Sequence, residues 1–292
     1  MKKYLIVNAD DYGYSVGVNA GIIEGHQHGI ITSATMMATG RAFADGVERL
    51  KEVPLLSVGC HMMLVDGEPA ARPSHIRSLL SGNDSFPSTL SLLMARLSAG
   101  KVKREELVLE FRIQMQKLFN ANIVPTHLDS HKHSHIHPLV LDVMIQIAEE
   151  YRIGCIRNPF ESFPLKKLLW NGSIKTCKRY LVTQLLGYYK LRFGQRIRKT
   201  NVRFPEHFHG FVETGTLSVG TMSRILSSVK VGVNELMCHP ARLDSELLAL
   251  PTRLKRSREQ ELAAMTACET LRIIEQQKIE LISFRELRFL KL

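Results

Sequence analysis

Five of the chain's 12 histidines fall within the eleven residues from His127 to His137. The run reads Thr126-His127-Leu128-Asp129-Ser130-His131-Lys132-His133-Ser134-His135-Ile136-His137-Pro138. In an extended chain His127, Asp129, His131, His133, His135 and His137 share one side. Imidazoles and a carboxylate are not buried together without polar partners. The run therefore reads as a metal-ligating cluster more readily than as a solvated loop or a hydrogen-bonded histidine cluster. Oxygen and imidazole donors without cysteine suit Zn, Mn, Fe, Co, Ni or Mg. Spacing alone leaves open which of these histidines would bind.

A second polar concentration is the adjacent pair Asp10-Asp11, directly after an apolar run. Two neighbouring carboxylates repel, and burying them without a cation is costly. Either one is a turn or helix-cap aspartate, or the pair divides the work beside a metal, one as ligand and the other as free base. His61 and His239 each end an apolar run. Taken singly, each reads as a satisfied buried histidine, and each gains weight only by converging with the other sites.

The elements that must bring these residues together alternate between short apolar runs and longer helical patterns. Strands are expected at 4–8, 31–37, 56–61, 123–129, 153–157, 235–238 and 280–283. Helices are expected from a Ser15 cap to near Gly29, then at 43–51, 105–119, 138–151, 218–229 and 256–276. The Gly/Ser-rich region 66–100 reads as a long polar loop. This βα alternation predicts a parallel sheet or a (β/α) barrel, and 292 residues fit one barrel as well as two smaller domains. The candidate residues all fall at the C-terminal ends of the expected strands, the rim where such folds collect their active sites. No Gly-rich phosphate loop accompanies them, which argues against nucleotide binding.

Lys and Arg exceed Asp and Glu by 39 to 28, giving a net charge of +11. No acidic residue stands between Glu161 and Glu206, while 11 Lys and Arg do, so the rest of the chain is charge-balanced. Leucine and aromatic residues are interleaved there. The segment reads as a basic helical insertion at about 162–205. Either it packs on the barrel with a solvated basic face, or it meets an anionic membrane or an acidic glycan through 164–203. Nucleic acid is the poorer fit. Cys60, Cys155, Cys177, Cys238 and Cys268 are scattered without a CxxC pair, which fits a reducing compartment. The N-terminus lacks the apolar stretch of a signal peptide, and no run approaches a membrane span. A cytoplasmic protein is expected, with room for peripheral contact at the inner face of the membrane.

Four motifs carry a resemblance. Val7-Asn8-Ala9-Asp10-Asp11-Tyr12-Gly13, Val58-Gly59-Cys60-His61-Met62, Pro125-Thr126-His127-Leu128-Asp129-Ser130-His131-Lys132-His133 and Glu235-Leu236-Met237-Cys238-His239-Pro240 occur in this order. Together they resemble the YdjC-like carbohydrate deacetylases, a family that includes chitin-disaccharide deacetylase and a hopanoid-biosynthesis branch. The chain departs from that pattern at Ala241, where the family often has glycine, and in its longer, more basic region 162–205.

The resemblance implies a distorted (β/α) barrel in a single domain over residues 1–292. It also implies one divalent metal, Mg or Zn, held by Asp11, His61 and His131. The expected reaction is hydrolysis of an N-acetyl group on an amino sugar, free or lipid-linked, by metal-activated water. Asp10 is then expected as general base and His239 as general acid. His127, Asp129 and His133 are expected to orient the ligands or touch substrate. The competing readings are a metal-dependent hydrolase of another ester or phosphoester, or a non-enzymatic membrane or nucleic-acid binding module. An assembly of identical chains is compatible with all three.

Overall fold

The computed structural model describes residues 2–161 and 187–290. Strand β1 (Lys3–Tyr12) is its axis. Successive side chains on a strand face opposite ways. Leu5, Val7 and Ala9 join the main apolar core, whereas Ile6 joins a separate cluster. Asn8 and Asp10 reach across to His127 and Arg157. One face of β1 thus packs on helices and the other lines an interior.

The remaining strands are β2 (Ser33–Met36), β3 (Ser57–Met62), β4 (Leu128–Ser130), β5 (His207–His209), β6 (Gly232–Cys238) and β7 (Ile279–Leu281). The sheet runs β4-β3-β2-β1-β6-β5, with β7 also on β1, and all its pairings are parallel. Isolated bridges from Leu128 to Ile156 and from Cys155 to Arg203 carry the curl from β4 round towards β5. The result is the expected distorted barrel. β7 takes the first residues of β1 and β2 the later ones, from Asn8 onward.

Ile6, Cys155, Val233, Ile282, Phe284 and Leu287 form an apolar floor inside the barrel. The short helix Phe284–Leu287 supplies part of it, capped by a reciprocal pair of bonds between Ser283 and Glu286. Its first amide donates to Ser33 Oγ at 3.2 Å. The Phe284 ring stacks on His127 with centroids 3.7 Å apart. With the floor apolar, polar side chains collect in the layers above it, at the C-terminal strand ends.

Gly59 explains one motif position. A Cβ there would lie 2.5 Å from the His127 ring. Gly59→Ala is therefore expected to displace β3 or His127, with a stability loss of about 1–3 kcal/mol, as for other overpacked interiors. Denaturant unfolding measures this; an unchanged midpoint would contradict the packing.

Several expected elements differ in the structure. The region expected as a loop at 66–100 contains the helix Leu90–Ser98, capped by Thr89 and burying Leu93 and Leu97. The helix expected at 256–276 is two, Arg256–Thr266 and Cys268–Gln276, broken where Ala267 is extended at φ −67°, ψ 132°. The strand expected over 123–129 is confined to Leu128–Ser130, and β5 was not foreseen. The Ser15 cap holds: its side chain accepts from the amide of Val18, and the helix runs Val16–Gln27.

Residues 162–186, most of the basic helical insertion expected at 162–205, lie outside the described residues. Beyond them the helix Gly187–Ile197 packs on the barrel. It buries Phe193 and Ile197, and Phe193 meets Phe160 and Phe204 with ring centroids 5.6 Å away in each case. Arg196 bonds Asp142 at 2.5 Å. This part follows the packed amphipathic reading. Among the described residues no helix is long and apolar enough to cross a membrane.

Candidate active site

The two aspartates lie within the last residues of β1 rather than beyond it. The register slips between Ala9 and Tyr12, and Asp11 has φ +69°. Aspartate tolerates this left-handed conformation better than most residues. Strict alternation would turn neighbouring carboxylates to opposite faces. The irregularity instead lets both face the same chamber.

Asp11 Oδ1, His61 Nε2 and His131 Nδ1 converge there. Asp11 Oδ1 lies 3.6 Å from His61 Nε2 and 3.3 Å from His131 Nδ1, and the two ring nitrogens are 3.3 Å apart. A tetrahedral cation with bonds of about 2.0–2.1 Å needs donors roughly 3.3–3.4 Å apart. One carboxylate and two imidazoles also form a donor set that borderline divalent metals prefer. The residues present therefore fit a cation.

Neighbours fix each donor. Asp129 Oδ1 bonds His61 Nδ1 at 2.6 Å, leaving Nε2 turned to the centre, the carboxylate–histidine arrangement that orients metal ligands. Arg258 Nη2 donates to Asp11 Oδ2 at 2.5 Å and leaves Oδ1 available. Burial opposes a charged His61, but Asp129, Asp10 and Asp11 outweigh it and carry its pKa to about 9. A cation at Nε2 must displace that proton, so binding should release it and weaken as pH falls. Asp129→Asn is expected to weaken zinc affinity about 10–100-fold, the range for such supporting partners. Calorimetry at constant pH measures this; unchanged affinity would contradict the role.

Asp10, His61 and Asp129 also lie close enough to share an ion, but their oxygens are committed. Arg157, wholly buried, donates to both Asp10 oxygens at 2.7 and 2.6 Å and forms an ion pair with Asp129 Oδ2 at 2.5 Å. Asn8 Nδ2 donates to Asp10 Oδ1 at 2.9 Å. Burial alone would raise the Asp10 pKa. The Arg157 charge and its hydrogen bonds overcome that and hold the carboxyl well below the usual carboxylate range.

His239 follows β6. Ala9 pairs with Cys238, so His239 stands level with Asp10 on the neighbouring strand. Its amide donates to Glu261 Oε2 at 2.6 Å, and its Nδ1, 3.8 Å from that oxygen, has no hydrogen-bond partner among the described residues. Burial lowers the His239 pKa to about 4 and raises that of Glu261 to about 7.

The other histidines of the run part company after Ser130. Lys132 and His133 are left-handed, at φ +52° and +57°, so the alternation expected through His137 fails. His127 lies on the floor ring and reaches Asp10 only through Asn8, whose Oδ1 it meets at 3.0 Å. His133 packs against Phe208 and Phe211, with centroids 5.7 and 5.6 Å away. His135 bonds Ser130 Oγ at 2.6 Å, and His137 caps the helix Pro138–Glu150. Arg157, Glu235, Arg258 and Glu261 were not foreseen. Arg157 ended an expected apolar strand, and an arginine there is a signal in retrospect. Arg258 and Glu261 sit on an ordinary charged helix that gives none.

The chain matches the family model described as YdjC-like protein over residues 4–276. It is 35% identical over 284 residues to a carbohydrate deacetylase of Brevibacillus brevis, covering 97% of this chain and 99% of that one. It is 32% identical to a carbohydrate deacetylase of Geobacillus stearothermophilus, covering 98% of each. A crystal structure from Enterococcus faecalis V583, described as a cellobiose-phosphate cleavage protein, is similar with a TM-score of 0.79 and 26% identity, covering 98% of this chain and 99% of that one. With the motifs, the barrel and these matches in agreement, the chain belongs to the YdjC-like family.

Proposed function

We propose that this protein is a metal-dependent carbohydrate deacetylase that hydrolyses the N-acetyl group of an amino sugar. The observation that carries the reading is the convergence of Asp11, His61 and His131 beside a separate, arginine-held carboxylate, Asp10. Relatives named carbohydrate deacetylase over nearly the whole chain support the substrate class.

In this reading Asp11, His61 and His131 hold one divalent cation, and two imidazoles favour zinc over magnesium. When bound, the cation supplies Lewis-acid polarisation of the acetamide carbonyl and acidifies the attacking water. Asp10 does not ligate. Arg157 keeps it ionised and fixed in direction, and it receives the proton of the attacking water. His239, its pKa lowered by burial to about 4, gives its ring N–H to the departing amine as Nδ1 takes a proton from the neighbouring Glu261 carboxyl, and the proton received by Asp10 returns through solvent to restore Glu261. Glu261, with its pKa near 7 and its carboxylate 3.8 Å from His239 Nδ1, supports that relay. Arg157 is bound on every side by carboxylates, which leaves it unsuited to clamp a phosphoryl group.

The test is acetate release from N-acetylglucosamine oligomers and from N-acetylglucosaminyl lipids, with and without chelator. Acetate from at least one class, abolished by chelator and restored by zinc, is the expected result. No acetate from either would contradict the reading.

A further inference from the structure

Arg157 has a third carboxylate partner for which the chemistry above has no use. Its Nε donates to Glu235 Oε1 at 2.6 Å, while its two Nη groups serve Asp10 and Asp129. Glu235 is wholly buried. It pairs with Ile6 in the β1–β6 register, two positions before the Asn8–Met237 pair and so below Asp10. The guanidinium therefore bridges two layers of the barrel, anchored below at Nε and presenting its fork above. Rotation about that anchor would swing both Nη groups off the Asp10 carboxylate. The Phe208 ring, 5.6 Å from the guanidinium carbon, flanks it.

We propose that Glu235 is a positioning residue for the reaction: by holding Arg157 at Nε it fixes the direction in which Asp10 faces the attacking water. The inference rests on the deacetylase reading and deepens it. Charge supports the geometry. Three carboxylates around one guanidinium are too many if all are ionised in a dry interior. Burial raises the Glu235 pKa to about 8, against the opposing pull of Arg157, with Asp10 and Asp129 adding to the rise. Burial thus favours the neutral acid at Glu235, and in either protonation state Oε1 accepts from Arg157 Nε. Its Oε2 has no hydrogen-bond partner among the described residues, so the hydrogen bonds on this side chain converge on Arg157 alone. An acceptor at Oε1 is then what the geometry requires of this position.

The test uses the zinc-loaded protein, with Glu235→Leu, Glu235→Gln and Glu235→Asp made alone and in an Asp10→Asn background. Zinc per chain is measured with kcat and KM for acetate release from an N-acetylglucosamine disaccharide. Glu235→Leu removes the acceptor and should lower kcat roughly 10–100-fold, the range for supporting partners, with zinc content and KM within about twofold. Glu235→Gln keeps an acceptor oxygen and should recover most of the loss. In the Asp10→Asn background, Glu235→Leu should change the residual rate less than about twofold, because two residues acting as one unit are not additive. Equal losses in both backgrounds would overturn the inference, as would a Glu235→Leu kcat within twofold of wild type. If Glu235→Leu does not fold, Glu235→Asp decides. Withdrawn by one methylene, it should lower kcat at least about threefold, and an unchanged kcat would overturn the proposal. A wild type without acetate release, or an Asp10→Asn protein of full activity, would fail the deacetylase reading itself and this inference with it. Those two results are recorded separately from the Glu235 measurements.

Discussion

Asp10→Asn is expected to bind zinc as the wild type does and to lose about 10²–10⁴-fold in kcat, the contribution of a placed general base. The two halves of this result follow from two sets of contacts. The Asp10 oxygens face Arg157 and Asn8, so the donors Asp11 Oδ1, His61 Nε2 and His131 Nδ1 are untouched by the change. An amide cannot take up the proton that a carboxylate accepts. Breaking a buried ion pair typically costs about 3–5 kcal/mol. Here the loss should be smaller, because Arg157 keeps Asp129 and Glu235. With one negative neighbour gone, Glu235 also ionises more readily. Zinc content, kcat and an unfolding curve on the same preparation separate these effects. Full turnover with zinc bound would contradict the base assignment.

Replacing a donor should have the opposite signature. His131→Ala is expected to weaken zinc binding by more than the 10–100-fold typical of supporting residues, and to remove activity in proportion. His131 is the cleaner choice of the two histidines. Its side chain is 15% exposed, whereas that of His61 is 1% exposed and leaves Asp129 Oδ1 without its ring partner when lost. His133→Ala serves as the contrast within the same run of histidines. Its ring packs on Phe208 and Phe211 away from the three donors, so zinc should stay. Zinc affinity by competition with a chromogenic chelator measures both. Undiminished affinity in His131→Ala would contradict the ligand set.

The barrel was legible because its strands are short buried apolar runs and some of its helices, such as Val16–Gln27, carry ordinary caps. Tyr4 to Asn8 reads as a buried strand, Ser15 as a helix cap, and His61 as the end of an apolar run, and all three hold. The convergence of three strand ends, at Asp10-Asp11, at His61 and at the histidine run, was anticipated because strand ends gather on one rim, while the choice of Asp11 over Asp10 came from family resemblance. The choice of His131 among five histidines came from family resemblance and could not have come from periodicity. The chain leaves the extended conformation at Lys132 and His133, and nothing local announces two consecutive left-handed residues without glycine. The break at Ala267 is equally silent, since neither Gly nor Pro marks it. The ion network was the least legible part. Arg157, Glu235, Arg258 and Glu261 come from separate segments, and their meaning lies in contacts that span much of the chain, such as the bond from Arg258 to Asp11.

The central claim is that one cation at Asp11, His61 and His131 turns this barrel into a deacetylase. The direct measurement is stepwise zinc addition to metal-free protein, following bound zinc and acetate release from an N-acetylglucosamine disaccharide together. The account predicts one tight equivalent per chain, with acetate release rising in step and levelling off at that equivalent. Acetate release by the metal-free protein, or one bound zinc without any acetate release, would contradict it.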